Sequence, residues 1–276
     1  MKPPAHTLGA AAIILCLACS SCQTTSLDTQ AAAGRTILNQ YANAVVGVEL
    51  VATLKVTMAN RPSTPREQKI EANGTVISQG GLTVVSLGSI DPRARMESQV
   101  ALMSAMRGRV EFGDTEFKEV RLRLADGSEV PARVVMKDPD LDLAFVAPEP
   151  GAAPGRKWGW VNLAEPADGV ILGTYYDVAR APKAQQRTPV VRLVNVGGII
   201  EKPRRFYIAS AYSPGCPVFD PKGRVLGICT RHISDGRESG PVILPAADIA
   251  ESAKQAEAAP NAAPTPASGS QPSPAP

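Results

Sequence analysis

From Val45 to Leu244 the chain is a succession of short β-branched runs separated by turn residues. Two of these runs, Gly74–Ser78 and Leu82–Ser86, are joined by Gln79-Gly80-Gly81, which predicts a hairpin. Another, Val120–Leu124, alternates apolar and basic residues as a half-buried strand does. Many short strands at close spacing indicate an all-β barrel or sandwich, and periodicity alone does not choose between the two.

Helices are expected only at the ends of this strand-rich region. Residues 37–44 have a helical pattern before the first strand, and Asp248–Ala258 is rich in helix-forming residues and follows Pro245. A Pro- and Gly-rich passage at 148–155 predicts a boundary between domains at 36–150 and 151–257. The segment 258–276 has six prolines and no charge, so we expect a disordered tail.

The N-terminus has the pattern of an export signal. Lys2 is the only full charge before an apolar run at 8–18, which is shorter than the roughly 20 residues needed to span a bilayer. Residues 1–18 are therefore expected to be a signal peptide. Leu17-Ala18-Cys19 resembles the lipobox of bacterial lipoproteins, in which the cysteine is lipidated, and Cys22 is the alternative lipidation site. A secreted protein without a lipid is the simpler interpretation.

The lipobox resemblance implies a protein of the bacterial cell envelope, held to the membrane by a lipid and facing the periplasm or the outside. The small polar residues at 19–35 are then expected to form a flexible tether. The net charge is only +3 and no long run of Lys and Arg occurs, so nucleic acid is not an expected partner. Scattered cysteines and two histidines do not form a metal-ligand cluster, and no cofactor is expected.

The most specific sequence motif lies in the second half of the chain. Residues 212–220, Tyr-Ser-Pro-Gly-Cys-Pro-Val-Phe-Asp, are followed by Gly-Arg-Val-Leu-Gly-Ile at 223–228. This resembles the nucleophile region of HtrA-type, trypsin-like serine proteases, where Gly-Asn-Ser-Gly-Gly-Pro leads into a hairpin. Residues 74–90, 124–135 and 138–146 resemble that family's histidine strands, strand–turn–strand and aspartate segment, in the same order. The resemblance implies two six-stranded antiparallel β-barrels, with a cleft between them and a short C-terminal helix.

The resemblance also assigns the positions of the catalytic residues. Asp142 stands at the orienting aspartate, and Gly88 or its neighbour stands where the catalytic histidine belongs. The chain has only two histidines: His6 lies in the signal segment, and His232 follows the nucleophile region. No residue near Gly88 has a side chain suited to proton transfer near neutral pH.

The nucleophile region departs from the family pattern too. Pro214 stands at the place of the serine, and it has no N–H to donate to an oxyanion. These differences predict a pseudoprotease that retains the fold and binds or scaffolds an unidentified protein or peptide in the envelope. The alternative is an active serine or cysteine endopeptidase with an atypical centre that uses Ser213 or Cys216. A purely structural envelope protein is a third hypothesis that the sequence does not separate from the first.

Cys216 and Cys229 flank the predicted hairpin, whose turn at 220–223 would bring the two sulfurs near each other. Export makes a disulfide chemically allowed. A disulfide and a pair of buried free thiols are equally compatible with the sequence.

Overall fold

The computed structural model describes residues 27–58, 65–102, 110–210, 213–234 and 237–258. The predicted signal peptide, the lipidation candidates Cys19 and Cys22, and residues 259–276 of the predicted tail lie outside these ranges. Within them, no helix is both long and apolar enough to cross a membrane.

The first barrel closes six antiparallel strands in the order β1-β3-β4-β8-β7-β6. Alternate side chains of β1, including Val46, Val48 and Leu50, point into its core. Strands β2 and β5 form a separate two-stranded ribbon. The strands are β1 Val45–Leu54, β2 Val56–Met58, β3 Arg66–Val76, β4 Thr83–Ser86, β5 Val110–Phe112, β6 Glu116–Arg123, β7 Glu129–Asp138 and β8 Leu143–Pro148.

The second barrel closes in the order β10-β11-β14-β13-β12-β9. Its core includes Val194, Val196 and Leu226. The strands are β9 Thr174–Arg180, β10 Pro189–Ile200, β11 Phe206–Ala209, β12 Pro217–Phe219, β13 Val225–Ser234 and β14 Arg237–Pro245. The predicted fold class, two six-stranded antiparallel barrels with a short C-terminal helix, is confirmed.

The two barrels share a third core at their interface, which includes Val84 and Phe145 from the first barrel and Val178 and Phe219 from the second. Polar contacts also cross this interface. The Arg180 side chain donates to the Val45 carbonyl at 2.5 Å and to that of Ala42 at 2.7 Å. Helix α1, residues 27–41, precedes the first barrel. The other helices are α2 Leu87–Ile90, α3 Pro92–Leu102 and α4 Ala246–Ala258, and Ile249 of α4 is buried in the shared core.

The expectation of a flexible tether at 19–35 is wrong for the described part of that segment. Residues 27–41 form a helix, α1, that packs on the second barrel. Tyr176 donates to the Gln30 carbonyl at 3.0 Å, Ile37 is fully buried, and Tyr41 stacks on Phe219. The contact positions 30, 34, 37 and 41 follow helical spacing. At position 34 a glycine lies close to Tyr176, so the large apolar side chain that usually marks a helix in sequence is missing there.

Candidate functional site between the two barrels

Asp142 lies in the turn between β7 and β8, at the end of the first barrel that faces the second. Its backbone has a left-handed φ of 55°, and its side chain is completely buried. The carboxylate accepts hydrogen bonds from the Ser86 hydroxyl at 2.6 Å and the Gly88 backbone N–H at 2.8 Å. Asp142 is therefore fixed to α2 and to the end of β4, which are the elements that the family resemblance assigns to the histidine.

The charged partner of Asp142 is Arg231, which belongs to β13 of the second barrel. The Arg231 Nη2 atom lies 2.8 Å from Oδ1 of Asp142, and the Arg231 backbone N–H donates to Oδ2 at 3.0 Å. Only 9% of the arginine side chain is exposed, and none of the aspartate is. The pair is thus a buried, multiply hydrogen-bonded ion pair that joins the two barrels.

Gly88 leaves the space that the arginine fills. A Cβ atom at residue 88 would lie 1.4 Å from Nη2 and 1.8 Å from Cζ of Arg231. Any side chain at position 88, a histidine included, would therefore have to displace the guanidinium. Arg231 was not predicted as a site residue, because its partner Asp142 is 89 residues away and no local pattern marks a buried arginine.

His232 is turned away from this pair. Its Nδ1 atom is hydrogen bonded to the Ser239 hydroxyl on β14, and its ring meets that of Phe206 edge-on at 4.9 Å. Among the described residues, no hydrogen bond joins His232 to Ser213 or Cys216.

The loop from Ser213 to Cys216 has its backbone donors occupied. The Gly215 N–H donates to the Cys229 carbonyl at 2.9 Å, and the Cys216 N–H donates to the Ser213 carbonyl at 3.0 Å. The Ser213 N–H points at the Cys229 sulfur, and Pro214 has no N–H. In this described stretch of the loop, no backbone N–H is left to hold an oxyanion.

Ser213 is buried, and its hydroxyl donates to the carboxylate of Asp177 on β9. Burial raises the pKa of Asp177 to about 6, although the Ser213 hydrogen bond and Arg192, whose Nε lies 3.5 Å from Oδ2, oppose the rise. The other carboxylate oxygen, Oδ1, is buried and has no hydrogen-bond partner. The Ser213 hydroxyl is therefore buried against the Asp177 carboxylate, and no hydrogen bond joins it to a histidine among the described residues.

Cys216 and Cys229 are both buried free thiols, so they do not form a disulfide. Cys216 packs in the core between the barrels, whereas Cys229 packs inside the second barrel, so their side chains serve different cores. Burial raises the pKa of the Cys216 thiol well above its ordinary value, and the negative charge of Asp177 raises it further. A thiol in this environment stays protonated and is a poor nucleophile.

The structure thus brings together Asp142 and Gly88 of the predicted site residues, with Arg231 between them. An arginine side chain stays protonated in proteins, so it cannot accept a proton from an attacking hydroxyl or thiol. Ser213, Pro214 and Cys216 lie in the adjoining loop of the second barrel. Within the described residues, no group of three or more His, Cys, Asp and Glu side chains is arranged to hold a metal ion.

The raised pKa of Asp177 predicts a pH dependence of stability. Its folded pKa of about 6 exceeds the ordinary 3.8, so the folded chain binds more protons than the unfolded chain between these values. The free energy of unfolding should therefore fall as pH rises from about 4 to about 6, by up to about 3 kcal/mol from this group. Urea unfolding at both pH values should show a smaller fall for Asp177→Asn. The exposed Asp140→Asn should leave the fall unchanged, and equal falls in all three proteins would contradict the prediction.

Comparison with protein families and solved structures identifies the class of protein. Residues 72–228 match the trypsin-like peptidase domain family. The crystal structure of Deg5 matches at 17% identity with a TM-score of 0.50, covering 79% of this chain and 91% of that one. The MamO protease domain from Magnetospirillum magneticum matches at 15% identity with a TM-score of 0.45, covering 77% of this chain and 97% of that one. No curated protein sequence matches significantly.

The family match covers more than half of the chain, and the Deg5 comparison agrees with it in fold. The chain therefore belongs to the trypsin-like peptidase domain family. The family resemblance drawn from the sequence is confirmed.

Proposed function

We propose that this chain is a catalytically inactive trypsin-like protease homologue that is lipid-anchored in the bacterial cell envelope and binds an extended peptide or protein segment. The observation that carries the proposal is the Arg231 guanidinium, which is paired with Asp142 in the space that a side chain at Gly88 would need. A protease of this family needs a proton acceptor beside the orienting aspartate. Here a permanent cation stands beside it.

The chemistry of the neighbouring loop supports inactivity independently. Peptide hydrolysis needs a nucleophile, a base and hydrogen-bond donors for the oxyanion. The two nucleophile candidates are the Ser213 hydroxyl, which donates to Asp177, and the Cys216 thiol, which is buried with a raised pKa. The described N–H groups of the loop are engaged elsewhere. The alternative of an active endopeptidase that uses Ser213 or Cys216 would require either side chain to leave its buried position.

A free edge of β13 supports the binding role. The short strand β12 pairs with β13 only as far as Ile228. The backbone of the next residue, Cys229, is hydrogen bonded to Gly215 and Cys216 of the preceding loop. The Arg231 N–H on the other side of β13 is taken up by Asp142. From His232 to Ser234, β13 pairs with β14 on one side, and among the described residues no strand pairs with its other side. An extended peptide can add to such an edge through main-chain hydrogen bonds without being cleaved.

The anchoring part of the proposal depends on the N-terminal segment. The apolar run at 8–18 precedes Cys19, the proposed lipidation site, with Cys22 as the alternative. The folded part of the chain has begun by Leu27, so the lipid would hold the barrels within a few residues of the membrane.

The test is to measure binding and cleavage of one ligand in one sample. A fluorescein-labelled, unfolded casein peptide should show a saturable rise in anisotropy, and mass spectrometry after prolonged incubation should find the peptide intact. A control peptide of the same sequence, N-methylated at alternate residues, lacks the main-chain donors along one edge. It should bind about tenfold or more weakly, because each lost hydrogen bond is worth about 1 kcal/mol. Cleavage, or an absence of saturable binding, would each contradict the proposal.

A further inference from the structure

The exposed large hydrophobic side chains of this chain are unevenly distributed. Among the described residues there are seven, and six of them flank strand β10 of the second barrel. We call these six the β10 face: Leu27, Val170, Ile171, Leu172, Leu193 and Ile208. The seventh, Met58, lies on the ribbon strand β2 next to the first barrel and is 48% exposed.

Contacts along β10 connect the members of this face. Leu27 of α1 and Leu193 of β10 line one cavity of about 340 Å³. Further along the strand, the Leu172 N–H donates to the Val196 carbonyl at 2.8 Å. On the other side, the Ile208 side chain lies against Gly198 of β10. The six residues are therefore grouped along the stretch 193–198 of β10, which also exposes Asn195.

The central part of the β10 face is a protruding loop, residues 170–172, whose backbone is held by hydrogen bonds. Leu172 is 80% exposed and adopts a left-handed φ of 62°, which is unfavourable for a leucine. The Val170 N–H donates to the Tyr175 hydroxyl at 2.9 Å, and the Gly173 N–H donates to the Val170 carbonyl at 2.9 Å. Three consecutive apolar side chains are thus presented to solvent by a fixed backbone, and exposed apolar clusters of this kind mark interaction sites.

We propose that the β10 face lies on the anionic phospholipid membrane that anchors the chain, with Val170, Ile171 and Leu172 inserted among the lipid acyl chains. The inference rests on the proposed lipid anchor but not on the proposed inactivity. Leu27 belongs to the face and is five residues from Cys22 and eight from Cys19. Even a fully extended segment of that length reaches only about 17 to 27 Å. A lipid on either cysteine therefore keeps Leu27, at one end of this face, within that distance of the bilayer.

The chemistry of the face also favours lipid over a second copy of the chain. Arg35 and Arg192 line the same cavity as Leu27 and Leu193, where they can meet anionic headgroups. The exposed acids Asp28 and Asp168 lie nearby in sequence, so apolar insertion rather than charge must supply most of the affinity. A protruding tip such as Leu172 needs a matching pocket in a self-complementary dimer, whereas a bilayer needs none.

The experiment places a reporter in the loop of the full-length protein. Ile171→Trp and, as its matched control, Met58→Trp are each reconstituted in vesicles of phosphatidylethanolamine and phosphatidylglycerol with acyl chains brominated in part. Both sites are exposed apolar residues, so both variants should fold. The wild-type chain gives the background of its own two tryptophans.

All three proteins should float with the vesicles. The added fluorescence of Ile171→Trp should be quenched at least about twofold more strongly than that of Met58→Trp, because the loop should sit roughly 5 to 10 Å into the headgroup and acyl boundary. Flotation without selective quenching at position 171 would overturn the membrane face and leave the anchor intact. Failure to float would overturn both. If the added fluorescence of Ile171→Trp is shielded from bromolipid and sedimentation shows a dimer, the face belongs to a second copy instead.

Discussion

Arg231→Ala should lower the free energy of unfolding by about 3 to 5 kcal/mol, because it leaves the Asp142 carboxylate buried without its countercharge. The variant keeps three donors to that carboxylate: the Ser86 hydroxyl and the backbone N–H groups of residues 88 and 231. The loss therefore measures the guanidinium itself.

Urea unfolding of the purified variant measures this loss. The matched control is Arg205→Ala, which removes an arginine from an exposed, solvent-screened pair with Glu201 and should destabilise the protein much less. Equal losses for the two variants would mean that the contact between Arg231 and Asp142 is no stronger than a surface ion pair.

Gly88→Ala should be comparably harmful, although it adds a single methyl group. The new Cβ atom would coincide with the Arg231 guanidinium, so the arginine must leave Asp142 or α2 must move. Breaking a buried ion pair and overfilling a core together should cost about 3 kcal/mol or more. Thermal and urea unfolding measure the loss. The control is Gly47→Ala on β1, where the new Cβ would have only an ordinary contact of 3.5 Å with Arg123.

The same clash predicts a rescue. In Gly88→His combined with Arg231→Gly, the imidazole has the space that the guanidinium occupied and can donate to Asp142. The double variant should therefore be at least about 2 kcal/mol more stable than the sum of the single losses, because the two positions are in direct contact. Additive losses would show that the two residues do not compete for one space.

Much of the fold could be predicted from local patterns. Alternation and turn residues indicated the strands of both barrels, and the order of family-like segments placed Asp142 and Gly88 near each other. These features depend on residues that are close in sequence or on motifs that keep their order.

Three features could not be predicted, because each depends on a distant partner. Arg231 looks like an ordinary basic residue on a strand, and only the missing side chain at Gly88 creates its place. The first part of helix α1, before the helical pattern predicted at 37–44, contacts Tyr176 through Gln30 and Gly34, which are not large apolar residues and give little signal in sequence. Cys216 and Cys229 are neighbours across a hairpin, but their side chains enter different cores.

Chemical labelling of the native protein tests most directly whether the site between the two barrels contains an activated nucleophile. The protein is treated with a fluorophosphonate and with iodoacetamide at neutral pH, and labelled residues are identified by mass spectrometry, with trypsin as the positive control for the first probe. Neither Ser213 nor Cys216 should be labelled in the folded chain, and Cys216 should react with iodoacetamide once guanidinium has unfolded it. Rapid modification of Ser213 or Cys216 in the folded protein would contradict the account.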